Sequence, residues 1–284
     1  MTDLPIVVGV DGSEPSLRAV DWAADEAALR GAPLRLVHAS LWERYEGGLL
    51  APDPDEPSER TLIEDIAAGA SRRARRRQPD VEVTTEVLPE EPDYALIRES
   101  RAAQLLVLGC RGRGELAEAL LGSVSVTVAG HAHCPVVVLR GCHDNQARAG
   151  IRGRVVLGAG EKPAESAAAR FAAEEAQLRG VPLRVVRAWR RPVHTTGEPA
   201  DVHEQQAAEL LEEVLRSAPA GVDVDRRTVE GYARDALIAV SREADLLVVG
   251  ARRRPGHHGL QLGRVAHGVL HHAACPVAVV PELS

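Results

Sequence analysis

Residues 19–39, AVDWAADEAALRGAPLRLVHA, lie over residues 168–188, AARFAAEEAQLRGVPLRVVRA, with 13 identities in 21 positions at an offset of 149. In both, a helix-forming run ends at glycine, and an apolar strand-like run follows a proline. Two more blocks repeat: QLLVLGC at 104–110 over DLLVVGA at 245–251, and CPVVV at 134–138 over CPVAV at 275–279. Their offset is 141, so the second copy is eight residues shorter between the blocks. A period this long marks a duplicated domain, not a solenoid unit. The polar, glycine-containing stretch after residue 140 separates one apolar run from the next, which places domains at 1–140 and 153–284 with a linker at 141–152.

Within the first copy, runs 6–10, 34–39, 81–87, 105–109 and 136–139 are short, apolar and bounded by Gly, Pro or charge, the pattern of strands buried on both faces. Between them, 16–30, 58–77, 93–102 and 122–131 carry helical spacing or alanine-rich composition. Five strands with intervening helices predict an α/β domain: a doubly wound parallel sheet covered on both faces. Such sheets take ligands beyond the carboxyl ends of their strands, where the winding reverses.

Composition narrows the chemistry. Only seven of 284 residues are aromatic, so the core is aliphatic and a stacking platform for single-stranded nucleic acid is excluded. Thirty-four basic against 41 acidic residues give a net charge of −7, which argues against a general polyanion binder and predicts no nucleic-acid partner. Lys162 is the sole lysine, so a Walker-type phosphate site is ruled out in the first copy. The arginine excess reads as the codon usage of a GC-rich genome. No apolar run approaches the roughly 18–20 residues of a membrane span, and the start MTDLPIVVGV has no basic segment leading a long apolar one. A cytoplasmic protein without a membrane partner is expected. Four cysteines without CxxC pairing read as reduced thiols.

Two strand-end loops carry the candidate site. In Gly9-Val10-Asp11-Gly12-Ser13, Asp11 follows an apolar run, where its carboxylate can accept hydrogen bonds from a sugar diol. Equally, Asp11 or Ser13 can cap the next helix. In the other, Gly109-Cys110-Arg111-Gly112 follows a strand, and Gly122-Ser123-Val124-Ser125 opens a helix. Glycines allow close approach to a phosphate chain, and the free N–H groups and dipole of a helix start attract anions. Ser123 and Ser125 add hydroxyls, and Arg111 and Arg113 add charge. Isolated glycines more often serve the backbone alone.

The spacing Gly109, Gly112, then nine residues to Gly122-Ser123, resembles the G-x2-G-x9-G-(S/T) signature of nucleotide-binding members of the universal stress protein family. VVGVDGSEPS, LRLVHA and HCPVVVLR resemble the family in the right order, so the likeness covers nearly all of 1–140 and, more weakly, 153–284. The resemblance implies tandem Rossmann-like domains of the adenine nucleotide alpha hydrolase-like type, and an ATP-binding regulatory module in the stress response. It assigns Asp11 to the ribose, with Gly9 in the same loop, and the backbone of Val10 and Ala39 to adenine. Gly109, Arg111 and Gly112 would line the phosphate side, and Gly122, Ser123, Val124 and Ser125 would hold the β- and γ-phosphates. It also implies Mg²⁺ on the phosphates. The apolar closing strands would pair, making the two copies a pseudo-dimer within the chain, and two chains a homodimer.

The second copy departs from the signature. Gly160 replaces Asp11, Arg253 the second glycine and Arg264 the serine, which predicts that ATP is held mainly by the first copy. The alternative to a regulatory module is a slow ATPase or phosphotransferase. It lacks an evident base, since Glu14 and Glu115 both read as surface residues. His267 and His271, one helical turn apart, have the spacing of zinc ligands but no acidic companion, and read as a solvated helix end. Cys110 sits in the phosphate loop as either a buried small residue or an oxidation-sensitive thiol.

Overall fold

The computed structural model describes residues 4–41, 59–110, 121–140, 153–160, 166–190, 200–217, 221–252 and 262–282. The chain divides into two compact units, Met1–Leu139 and Arg140–Ser284. The expected linker 141–152 lies outside the described residues.

The first unit runs β1 (Ile6–Gly9), α1 (Glu14–Arg30), β2 (Leu34–Ala39), α2 (Glu59–Arg77), β3 (Val83–Leu88), α3 (Pro92–Glu99), a 3-10 turn (Ser100–Ala102), β4 (Leu105–Gly109), α4 (Ser123–His131) and β5 (Val136–Leu139). Its strands are parallel in the order β3-β2-β1-β4-β5, with Ile6 opposite both Leu34 and Leu105. The second unit repeats the plan: β6 (Val155–Gly158), α5 (Ala167–Arg179), β7 (Leu183–Trp189), α6 (Ala200–Ser217), β8 (Val224–Glu230), α7 (Ala233–Val240), a 3-10 turn (Ser241–Glu243), β9 (Leu246–Arg252), α8 (Arg264–His272) and β10 (Val277–Glu282), in the order β8-β7-β6-β9-β10. Both are doubly wound α/β domains.

The repeated segment explains itself locally. Ser13 and Ser166 cap α1 and α5 by accepting from the backbone N–H three residues on, each cap stabilising by about 1 kcal/mol. Gly31 and Gly180 end those helices at φ 62°, a left-handed conformation that favours glycine. The prolines that follow cannot continue a helix, and the chain turns into β2 or β7. Ile6, Leu34, Leu36, Leu105, Leu106 and Trp22 are fully buried, so the core of the first unit is aliphatic apart from one indole among the described residues, and the second unit buries Phe171.

One strand differs from expectation. β3 covers 83–88 instead of 81–87, and only Val83 and Leu88 face inward while Thr84, Thr85 and Val87 are exposed. It is the edge of the sheet, buried only at its two ends, where a central strand is apolar throughout. Arginine also has a structural use that composition did not reveal. Arg73 and Arg77 of α2 each make a two-pronged ion pair to α1, with Asp21 at 2.9 and 2.6 Å and Asp25 at 2.8 and 2.6 Å. Side-chain hydrogen bonds to those carboxylates outweigh burial and push both guanidinium pKa values up.

Candidate functional site at the carboxyl edge of the first sheet

The winding reverses between β1 and β4, which lie side by side and send their chains on to α1 and α4. Loops leaving such neighbours open a crevice at the carboxyl edge. Asp11 enters it two residues past β1. Its Oδ1 accepts from Ser13 N at 2.9 Å and Ser13 Oγ at 2.6 Å, while Ser13 Oγ accepts from Ser16 N at 3.3 Å. Ser13 is therefore the helix cap, and Asp11 fixes the cap with one oxygen. Oδ2 has no hydrogen bond among the described residues, and the half-buried carboxylate keeps an acceptor for a ligand.

Across the crevice, the end of β4 and the start of α4 are stapled together. Gly122 N donates to Cys110 O at 2.8 Å, and Ser125 Oγ donates to Gly109 O at 2.8 Å. The chain therefore leaves Cys110 and returns to Gly122 at one point. Arg111 and Gly112 belong to the intervening stretch and lie outside the described residues. Gly122 caps α4 without a side-chain hydrogen bond, leaving the first-turn N–H groups without a side-chain acceptor there. Ser125 is buried with its proton on Gly109; Ser123 is exposed at the helix start. Gly109 is forced by packing. A Cβ there would lie 2.7 Å from the Pro15 carbonyl carbon and oxygen and 2.9 Å from Ser16 N. The start of α1 thus rests directly on the end of β4.

At the β2 side, Val10 N donates to Val37 O at 2.9 Å, and the buried His38 Nδ1 lies 2.8 Å from Val10 O. A carbonyl only accepts, so Nδ1 carries the hydrogen. Both backbone groups of Val10 are engaged, and what it presents is its buried side chain. Glycine 9 ends β1, and Ala39 ends β2 beside it. Glu14, weighed as a water-orienting base, is paired with Arg73 at 3.5 Å in the first turn of α1.

Two features escaped sequence reading. His38 locks the Asp11 loop to β2. Glu26 and Glu175 are fully buried and each pairs with the arginine one turn later, Arg30 at 2.5 Å and Arg179. The signal was present in the duplicated stretch, where Glu and Arg are identical in both copies.

The model of the universal stress protein family matches residues 4–140 and again 152–281. The chain belongs to the universal stress protein family. A universal stress protein of Mycolicibacterium smegmatis is 34% identical over 98% of this chain and 97% of its own length. The crystal structure of a universal stress protein from Archaeoglobus fulgidus superposes with a TM-score of 0.73 at 17% identity, covering 99% of each chain, which shows the shared fold. No helix among the described residues is long and apolar enough to cross a membrane.

The second universal stress protein copy keeps the plan but not the chemistry. Gly160 stands at the Asp11 position, and Arg187, aligned with His38, donates from Nη1 to Ala159 O at 3.0 Å and Gly160 O at 2.5 Å. At the helix start after β6, the Glu282 carboxylate accepts from Ala167 N at 2.9 Å and Ala168 N at 3.2 Å. β10 thus delivers its own anion beside Gly250. Arg253 lies outside the described residues, and Arg264, in place of Ser123, opens α8 as an exposed side chain. The His267 and His271 rings are 4.4 Å apart, but no group of three or more His, Cys, Asp or Glu forms a metal site among the described residues. Cys110 and Cys134 are buried free thiols, and Cys275 is buried as well.

Proposed function

We propose that the N-terminal copy, residues 1–140, binds ATP and that occupancy, rather than turnover, regulates a partner during stress. The observation that carries this reading is an acceptor and an anion site on neighbouring strand ends: one Asp11 oxygen is left over past β1, and α4, after β4, starts at Gly122 with no side-chain cap among the described residues. Asp11 would take the ribose hydroxyls. Val10 and Ala39 would pack against adenine by contact alone, since Val10 has no backbone group to spare. Gly122, Ser123 and Val124 would offer N–H groups to the β- and γ-phosphates. Ser125, its proton held by Gly109, would position that turn, and Gly109 would seat α1 behind it. Arg111 and Gly112 complete the phosphate side on the strength of the signature.

With no cluster of ligand-type side chains among the described residues, Mg²⁺ fits as an ion held by phosphate oxygens and water. The domain limits, the cytoplasmic location, the pseudo-dimer through the closing strands and a homodimer belong to the same reading. Calorimetric titration of ATP tests it. One site per chain is expected, weakened at least tenfold in Asp11→Asn with the melting temperature little changed. Two equivalent sites per chain, or unchanged affinity in Asp11→Asn, would refute it.

A further inference from the structure

The second copy has a groove of about 360 Å³ between the carboxyl end of β7 and α6, lined by Arg187, Trp189, Arg190, His203 and Gln206. In the first copy the residues aligned with Arg187, Trp189 and Arg190 are His38, Ser40 and Leu41, so one copy has acquired two guanidinium groups and an indole at this end. Arg187 is held by the carbonyls of Ala159 and Gly160, and the Arg190 guanidinium lies 4.1 Å over the Tyr232 ring. Neither arginine pairs with a carboxylate among the described residues. Of the seven aromatic residues of the chain, Trp189 lines the groove with these arginines and Tyr232 lies under Arg190.

The rest of the strand-end crevice has changed as well. Gly160 offers no carboxylate to a ribose, and Glu282 already satisfies the N–H groups of Ala167 and Ala168. Positive charge now gathers where the first copy would receive a neutral base. A cavity of about 150 Å³ accommodates one benzene ring, so this groove has room for two fused rings and a charged substituent. Guanidinium groups donate to carboxylate or sulfonate oxygens, and an indole offers an apolar face.

We propose that the groove between β7 and α6 is a binding site for a planar aromatic carboxylate or sulfonate, with Arg190 and Arg187 on the acidic group and Trp189 against the ring. The second copy is then a sensor of a different ligand class, carried on the same chain as the first crevice. The site stands whether or not the first copy binds ATP, since none of its residues belongs to the first unit.

Calorimetric titration of the full chain with naphthoate, a two-ring aromatic carboxylate, tests the site, with naphthamide as the uncharged isostere. Binding at one per chain is expected, with naphthamide at least tenfold weaker. Arg190→Gln and Trp189→Leu should each weaken naphthoate at least tenfold while leaving the melting temperature unchanged. Asp11→Asn, in the other unit, should leave naphthoate untouched. Absence of naphthoate binding at millimolar concentration overturns the proposal, as does equal affinity for naphthamide. Competition by ATP that is lost in Arg190→Gln would make the groove a second nucleotide site and also overturn it. Loss of naphthoate binding in Asp11→Asn would place the ligand in the first unit, with the same consequence.

Discussion

Gly109→Ala and Gly250→Ala are the same substitution at equivalent positions of β4 and β9, and the two units answer it differently. At Gly109 the new Cβ meets backbone: Pro15 C and O at 2.7 Å and Ser16 N at 2.9 Å. To reach ordinary contact at 3.4 Å, the start of α1 has to retreat by about 0.7 Å. That retreat strains the Ser13 cap and its link to Asp11, and overpacking of this kind costs about 1–3 kcal/mol. The alanine stiffens the unfolded chain and returns about 0.4–1 kcal/mol, leaving a net loss of about 1–2 kcal/mol. For a unit of this size the midpoint falls by roughly 3–8 °C. At Gly250 the new Cβ meets the Glu282 side chain, with Oε1 at 2.7 Å, and a side chain can swing away. The loss there is the carboxylate at the start of α5, about 1 kcal/mol.

Glu282→Ala separates the two cases. In that background Gly250→Ala should cost less than about 0.5 kcal/mol, a coupling that a double-mutant cycle reads directly. No side-chain truncation should rescue Gly109→Ala. Urea denaturation followed by the fluorescence of the buried Trp22, in a background with Trp42→Phe and Trp189→Phe, reports the first unit, which matters because two domains need not unfold as one. A Gly109→Ala protein within about 0.5 kcal/mol of the parent would refute the seating of α1 on β4, and an undiminished Gly250→Ala cost without Glu282 would refute the latch. Loss of ATP binding in Gly109→Ala would therefore not report on phosphate contacts, whereas Ser123→Ala tests the phosphate side and Asp11→Asn the ribose.

Glu26→Ala or Glu175→Ala strands the paired arginine against a fully buried site and should cost about 3–5 kcal/mol, read as a lowered urea midpoint of the unit concerned. Burial pushes the Cys134 thiol up to about 12, so the native protein at pH 8 should leave Cys134 unalkylated by iodoacetamide until urea unfolds the first unit. Peptide mapping by mass spectrometry identifies the site. His271 is held below its usual value of 6.5, first by burial and then by His267. The unfolded chain therefore takes up the proton first. Stability of the second unit is full above about pH 6.5 and declines as pH falls through the lower folded value, and His271→Gln should flatten that decline in thermal melts at pH 7, 6 and 5.

The helix-to-strand repeat was legible because its determinants are local. Ser13, Gly31 and Pro33 set a cap, a left-handed stop and a break within a few residues of the positions they govern. The β3 limits were not, because an edge strand is defined by the neighbour it lacks, and the exposure of Thr84, Thr85 and Val87 follows from that place in the sheet. The crevice divides the same way. Spacing located Gly109, Gly122 and Ser125, but their roles depend on contacts across the chain: Gly109 meets Pro15, and Ser125 reaches back to Gly109.

Glu282 is the sharpest instance. Sequence alignment of the closing blocks ends at the shared CPVVV and CPVAV, and nothing in a terminal glutamate suggests a crevice. In the fold β10 runs from Val277 to Glu282 where β5 stops at Leu139, and Glu282 lies opposite Arg252 at the end of β9. Two further residues of strand are what carry a carboxylate to the N–H groups of Ala167 and Ala168. An extended strand advances about 3.3 Å per residue, so the extension shifts charge by about 7 Å along the strand. Lengthening one strand thereby brings a carboxylate to a helix start at the carboxyl edge of the second sheet, with the core left as it was. Gly160, Arg187 and Arg190 are further changes along that same edge.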